Sequence, residues 1–495
     1  MTDLGIGDKL FIYVLISTLC FISLPLKIFV IWLIITATAG LWILHHEQSY
    51  FAKLGIYSPK PNIFFGNTLQ ISADMKGYDQ INFEKAASSQ FGSYQYDKRE
   101  FTTMDLNFIR AVCVKQFSNF TDRIFIHKLE TITTKDNFIR HILSNLQGEE
   151  WKYIRNIVIP AFNTAKLRKV IPTLNESVQK SFSILDDHAL SGKKLDIENL
   201  IGKIGMDVIG QAGFSADVGA FEDSESPFIE NSKHIFEDVL TDWKAFALSS
   251  ETAPEREMHN DTFQFLMNTV EVQEESTKGE TKLPKKTMSK LKVLSQAYLI
   301  FLAGYDTTNA VILFALYMLA LHPEIQQKLK DEIDDVVGDD EDITYDHMHR
   351  LTYLNQIIQE TSRMYPIVPR LNRVCTEDVT IQGIHFRKGD FFNIPIFAIH
   401  RNPDFYTDPE IFEPERFSPE NKASRDPLTF LAFGCGPRGC IGMRFAEMQM
   451  RVVIASIIKS YRLERAENSM EMPLKLACVD FVKPTETVYI SVQKR

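Results

Sequence analysis

The stretch "VLSQAYLIFLAGYDTTNAVILFALYMLALHP", residues 293 to 323, constrains the fold more than any other. It is long enough to span a bilayer if helical and almost uncharged. Such a segment either crosses a membrane or fills the centre of a large core. Asp306, Thr307, Thr308 and Asn309 stand together at its midpoint, a cluster that is costly in lipid. The stretch therefore predicts a buried central helix of a soluble body.

The N-terminus differs in kind. Leu10 to Leu26 and Ile28 to Leu44 are apolar runs separated only by Lys27. Each is slightly shorter than the about 20 helical residues that cross a hydrocarbon core, so the pair reads as one tilted span with an extension, or as a hairpin turning near Pro25-Leu26-Lys27. Residues 28 to 44 are the firmer span. A cleaved signal peptide, suggested by Ala37-Thr38-Ala39, is disfavoured by the length of the apolar stretch and the scarcity of cysteine. Residues 1–48 are thus a membrane anchor of one or two spans. Residues 49–67, stiffened by Pro59 and Pro61, are a linker, and 68–495 form the body.

The chain has 495 residues, 45% hydrophobic and 24% charged, which is globular composition. A net charge of −10 argues against nucleic-acid binding, which relies on clustered Lys and Arg. Six mostly isolated cysteines do not make a disulfide framework, so the body is expected in a reducing compartment. Long helical patterns alternate with a few short strand-like runs, which predicts a mainly α fold with small sheets. Residues 271 to 290 read as an exposed loop, and the acidic run 331 to 342 as a solvated face.

Some pairs carry possible chemistry. Glu360 and Arg363 are neighbours on one helix face, ordinarily a surface salt bridge of little worth, and Arg416 is a third candidate member. Trp151 and Arg155, at helical i, i+4 spacing, present an indole N–H and a guanidinium that suit an anion; the plainer reading is a partly buried Trp beside a surface Arg.

The densest feature is "LAFGCGPRGCIGMRF", residues 431 to 445. Gly434 to Gly439 formally satisfies G-x-G-x-x-G, but the surrounding βαβ pattern of a dinucleotide site is missing. Zinc would require further Cys or His partners at matching spacing beside Cys435 and Cys440. What remains is one thiolate beside a helix N-terminus, where unpaired N–H groups and the helix dipole favour an anionic sulfur.

Here the sequence resembles the cytochromes P450. Their haem-binding signature F-x-x-G-x-R-x-C-x-G is met at each fixed position by Phe433, Gly436, Arg438, Cys440 and Gly442. Three further signatures follow the family order: Ala303-Gly304-Tyr305-Asp306-Thr307, Glu360 with Arg363, and Pro414 to Phe417. The likeness covers roughly residues 50 to 495 and in detail is similar to the microsomal 3A-like subfamily and its invertebrate relatives.

The resemblance implies the cytochrome P450 fold, with 68–495 as a haem-thiolate catalytic domain behind an N-terminal transmembrane anchor. It implies haem b, with Cys440 as the axial ligand of iron. Trp151, Arg155, Arg373 and Arg438 match positions that meet the haem propionates. Phe433 would pack beside the sulfur, Gly436 and Gly442 would give the loop room against the porphyrin, and Cys435 would be a small filler. Glu360, Arg363 and Arg416 match a structural triad. Asp306 and Thr307 match an acid and an alcohol that deliver protons, and Gly304 leaves space beside them. Electrons would come from NADPH through a membrane-bound reductase, with cytochrome b5 a candidate second donor. Lys166, Arg168, Lys169 and Arg444 form a candidate docking face. The body would face the cytosol from the endoplasmic reticulum membrane.

Two stretches look short for the family: 91 to 108, which puts the first sheet in question, and about 235 to 265, where two lid helices belong. The leading expectation is a monooxygenase acting on a hydrophobic small molecule, either a xenobiotic or an endogenous lipid or steroid, contacted by the loop after Arg123, the lid, Phe301 and Leu302. Two alternatives are a P450-type peroxide isomerase or dehydratase, which often lacks the acid–alcohol pair, and a haem-binding protein without turnover.

Overall fold

The computed structural model describes residues 12–18, 21, 25–96, 98–123, 138–214, 217–221, 287–467, 469–478 and 481–495. The lid stretch 235–265, the loop after Arg123 and most of 271–290 lie outside the described residues.

The described helices used below are α1 (Leu26–Glu47), α2 (Met75–Ala86), α3 (Gly148–Val158), α4 (Thr164–Ser191), α5 (Ile197–Phe214), α6 (Lys290–Leu321), α7 (Pro323–Val337), α8 (Thr352–Met364) and α9 (Met443–Ser460). The apolar stretch of the sequence forms α6. Its first turn is capped by the Ser289 side chain, which accepts from the Lys292 N–H, and it stops at His322 because Pro323 disfavours helical backbone before it. From Val311 to Ala320 every residue of α6 is buried, packed in one core with α4, α5, α8 and α9. Half of the helix is therefore the centre of the molecule, as its composition predicts. The other half, around Asp306, borders a cavity.

Eleven short strands frame the helices among the described residues. They are β1 (Gln90–Gln95), β2 (Lys98–Thr103), β3 (Leu195–Asp196), β4 (Leu371–Val374), β5 (Val379–Ile381), β6 (Ile384–Phe386), β7 (Phe391–Ile394), β8 (Tyr461–Arg465), β9 (Leu476–Cys478), β10 (Val482–Pro484) and β11 (Tyr489–Lys494). The doubt over the first sheet is corrected. β1 and β2 form an antiparallel hairpin from Gln90 opposite Thr103 to Gln95 opposite Lys98, and extend the order β1-β2-β7-β4. A short connection suffices because burial fixes the register: Phe91 and Phe101 are inside, and Glu100 is held by Arg370, Ser93 and Asn393. β3, β11 and β8 make a second sheet, while β5–β6 and β9–β10 are isolated hairpins.

At the N-terminus, α1 has no buried residue and a mean hydropathy of 2.1 over its most apolar window, long and apolar enough to cross a membrane. Part of the first apolar run, residues 12–18, is also helical and touches α1. Tyr13 stacks on Trp32, the Tyr13 and Thr36 hydroxyls lie 3.1 Å apart, and Phe21 meets Phe29 edge to face. These contacts suit the hairpin reading of the two runs.

Candidate active site

A cavity of about 1010 Å3 lies between α6 and the loop 431–442. The loop is shaped by its own hydrogen bonds: Gly434 N–H to Leu431 O at 2.8 Å, Gly439 N–H to Gly436 O at 2.9 Å, and Cys440 N–H to Phe433 O at 2.9 Å. His400 Nε2 accepts the Leu431 N–H at 2.9 Å and anchors the loop's entry. The loop delivers Cys440 to the cavity wall just ahead of α9, whose first residue is Met443. The Cys440 sulfur faces cavity space yet lies deep among protein atoms. Burial raises its pKa, while the Gly442 and Met443 N–H groups and the Arg123 and Arg155 charges act in the opposite sense.

Around that sulfur stands an uncompensated cluster of cations. Arg123 donates to Arg438 O at 2.8 Å and Arg155 to Gly439 O at 2.9 Å. Arg438 donates to the carbonyls of Thr121, Leu143 and Leu146, and Arg373 to those of Asn372 and Cys435. None of the four has a carboxylate salt-bridge partner among the described residues, and Arg123 Nε and Arg373 Nε have no hydrogen-bond partner there. Burial, with Arg373 and Arg155 nearby, pulls the Arg123 pKa down to about 9; burial, with Arg123 and Arg373, does the same to Arg438. Desolvated like charges with only carbonyl partners are a site built for an anion. Trp151 completes it, buried beneath the Arg438 guanidinium at 4.0 Å from the ring centre.

Across the cavity, Thr307 Oγ1 donates to Ala303 O at 2.6 Å. Asp306 Oδ2 accepts from Lys483 Nζ at 2.8 Å, so β10 reaches over to the midpoint of α6. Outside the cavity lining, Glu360 is fully buried and bidentate to Arg363, at 2.6 and 2.8 Å, with Arg416 Nε at 3.4 Å.

The structure distributes the sequence candidates unevenly. Trp151, Arg155, Asp306, Thr307, Phe433, Arg438 and Cys440 line the cavity, as does Leu302. Arg373 lies behind the wall. Gly436 also lies off it: at φ +66°, it turns the loop where a Cβ would collide with the Cys113 carbonyl, so it makes room for backbone and not for a ligand. Phe301 is buried against Phe214 and does not reach the cavity. In the basic cluster, Arg168, Lys169 and Arg444 are exposed, whereas Lys166 is half-buried and lines the cavity together with Lys169.

Comparison with known proteins decides the family. The cytochrome P450 family model matches residues 57–492. The chain is 32% identical to cytochrome P450 3A29 of Sus scrofa and 30% identical to cytochromes P450 3A13 of Mus musculus and 3A5 of Homo sapiens, in each case over 94% of this chain and 96% of the relative. The chain belongs to the cytochrome P450 family. It is accordingly an oxidoreductase, a P450 monooxygenase, and the family's cofactor is haem.

The residues of this P450 fit that group. Haem carries two carboxylates and needs one ligand sulfur, and the cavity offers guanidinium groups with no carboxylate salt-bridge partner among the described residues, beside a single cysteine whose sulfur meets backbone N–H groups. Two residues that line the cavity were not singled out from the sequence as parts of the site, Arg123 and Lys483, because no local pattern marks them. The one available signal was that Arg123 sits at the head of a variable loop.

Proposed function

We propose that this P450 inserts one oxygen atom of O2 into a hydrophobic small molecule, with electrons from NADPH passed on by a membrane-bound reductase. The observation that carries the reading is the Cys440 sulfur facing a large cavity beside guanidinium groups that have no carboxylate salt-bridge partner among the described residues. Cys440 would hold the iron, and the Gly442 and Met443 N–H groups would stabilise negative charge on its sulfur. Arg123, Arg155, Arg438 and the Trp151 N–H would take the propionates, with Arg373 adding positive field from behind.

Haem, when bound, supplies oxygen activation and atom transfer to a C–H bond. The overall change takes up two electrons and two protons and releases one oxygen atom as water. The chain's own task is to bring those protons in. Asp306 can accept a proton from solvent on the Lys483 side, where the Lys483 side chain is 42% exposed, and pass it inward. The Thr307 hydroxyl, bonded to Ala303 O, can turn to hold a water for the next transfer. Leu302, Ile209 and Phe481 line the cavity with apolar surface, which suits a hydrophobic substrate and excludes bulk water. The apolar α1 supports anchoring in the endoplasmic reticulum membrane, with the body on the cytosolic side.

The test is the absorption spectrum of the reduced, carbon monoxide-bound protein. Wild type should show the thiolate-type band and Cys440→Ser should lose it; a variant that keeps it would refute the ligand assignment. NADPH and O2 consumption with purified reductase then tests turnover, and peroxide conversion without reductase would instead favour an isomerase or dehydratase.

A further inference from the structure

Gln296 lies on α6 ahead of Asp306, lines the cavity and is 1% exposed, yet it belongs neither to the acid–alcohol pair nor to the basic cluster. Its amide is occupied by the backbone of another segment. Oε1 accepts the Leu143 N–H at 2.9 Å, and Nε2 donates to the His141 carbonyl at 2.5 Å and, within α6, to Lys292 O at 3.2 Å. The two groups it holds flank Ile142. A terminal amide suits them because it carries a donor and an acceptor side by side, and only this orientation satisfies both.

The segment held in this way is the one that fixes Arg438. Leu143 O accepts from Arg438 Nη1 at 3.3 Å and Leu146 O from Nη2 at 2.6 Å, while Thr121 O accepts from Nε at 2.8 Å. Leu143 is therefore gripped at both ends: its N–H by the central helix, its carbonyl by the guanidinium. Leu146 is tied into the same turn, with its N–H on Ile142 O at 3.1 Å. Arg438 is 4% exposed, and carbonyls fix its direction, leaving further N–H groups for a ligand in the cavity it lines.

We propose that Gln296 is a positioning residue for the haem site: through the Leu143 peptide it aims the Arg438 guanidinium, so that losing the amide loosens the cofactor and lowers its reduction potential. The inference rests on the reading that Arg438 meets a haem propionate. Without the amide, the Leu143 N–H and the His141 carbonyl are left buried and unpaired, and the segment must shift to find partners. Arg438 then loses its fixed carbonyls and has to be ordered by the ligand itself, which weakens binding. A positive charge beside haem favours the reduced form, which carries one more electron. A guanidinium that moves away makes reduction harder.

The test compares full-length, haem-loaded wild type with Gln296→Met, Arg438→Gln and the two combined, and with Gln326→Met as a control for lost stability. Gln326 is 2% exposed and bonded in the same manner, to Leu319 O, Leu463 O and the Leu463 N–H, but stands outside the cavity lining. The readouts are the rate at which haem passes to excess apomyoglobin and the reduction potential of the bound haem. Gln296→Met and Arg438→Gln should each lose haem about tenfold faster and show a lower potential. The combination should add little to Arg438→Gln alone, and Gln326→Met should match wild type. Wild-type behaviour of Gln296→Met, full additivity in the combination, or an equal change in Gln326→Met overturns the proposal. Wild-type behaviour of Arg438→Gln removes the propionate reading, and the proposal with it. An Arg438→Gln protein that purifies without haem counts as fast loss, and the contrast between Gln296→Met and Gln326→Met then decides. If Gln296→Met does not accumulate, Gln296→Asn takes its place: its amide is too short to reach the 141–143 backbone, so haem loss should again be faster, and an unchanged rate overturns the positioning role.

Discussion

His400 is a buried base with both ring nitrogens engaged, Nδ1 with Arg363 O at 3.2 Å and Nε2 with the Leu431 N–H. The second bond requires an unprotonated Nε2, and burial with the Arg363 charge nearby lowers the pKa from 6.5 to about 3. The unfolded chain takes up a proton near pH 6.5 that the folded chain refuses until about pH 3. The stability this residue contributes is therefore present above pH 6.5 and lost on acidification through that window, at about 1.4 kcal/mol per pH unit. His400→Gln should show a shallower loss than wild type between pH 7 and pH 5 in denaturant titrations; equal slopes would remove His400 as the cause. Gly436→Ala is a second single-residue test. The left-handed backbone costs about 1–2 kcal/mol with a side chain, and the Cys113 carbonyl must also move, so unfolding by denaturant should show a loss of at least about 2 kcal/mol.

Among elements, α8 is tied to the segment Pro414–Phe417 by the Glu360, Arg363 and Arg416 cluster. Its charges are buried, so removing one partner leaves an unpaired ion in a low-dielectric interior. Arg363→Ala should cost about 3–5 kcal/mol, seen as a large fall in the denaturation midpoint or as failure to accumulate folded protein. The bridge from α6 to β10 is different, because Lys483 is 42% exposed on its side chain and solvent screens the pair. Lys483→Gln should shift stability by less than about 1 kcal/mol. If Asp306 receives protons on that side, the same variant should consume more NADPH per product formed while substrate affinity changes little. Unchanged coupling between NADPH and product would detach Lys483 from proton delivery.

At the scale of the whole molecule, the apolar helix α1 is energetically separate from the body. α1 buries no residue, and its contact with the body includes one half-exposed pair, Glu47 with Arg387 at 2.8 Å. Deleting residues 1–44 should leave the haem spectrum intact and shift the protein from the membrane pellet to the supernatant. A deletion that abolishes the spectrum would show that the anchor supports the fold. Much of this plan was legible beforehand: the central helix from its length and lack of charge, the long apolar helix α1 from its apolar run, the Cys440 loop from five residues at fixed spacing. The first sheet was harder to read, because a shortened hairpin is rescued by burial of Phe91 and Phe101, and short strands carry little periodicity of their own.

The sequence by itself determined which reactive groups stand together locally, since the thiol, the acid–alcohol pair and the Glu–Arg pair are each set by neighbours within a few residues, where local spacing is informative. Only the tertiary structure decided which distant groups meet them. Arg123 reaches a carbonyl 315 positions away, and Lys483 pairs with an acid 177 positions away. It also moved Gly436 from the cavity face to a backbone crossing. No pattern along the chain encodes such partners, because they are chosen by how helices and loops pack once apolar surface is buried, and that choice depends on the whole core at once.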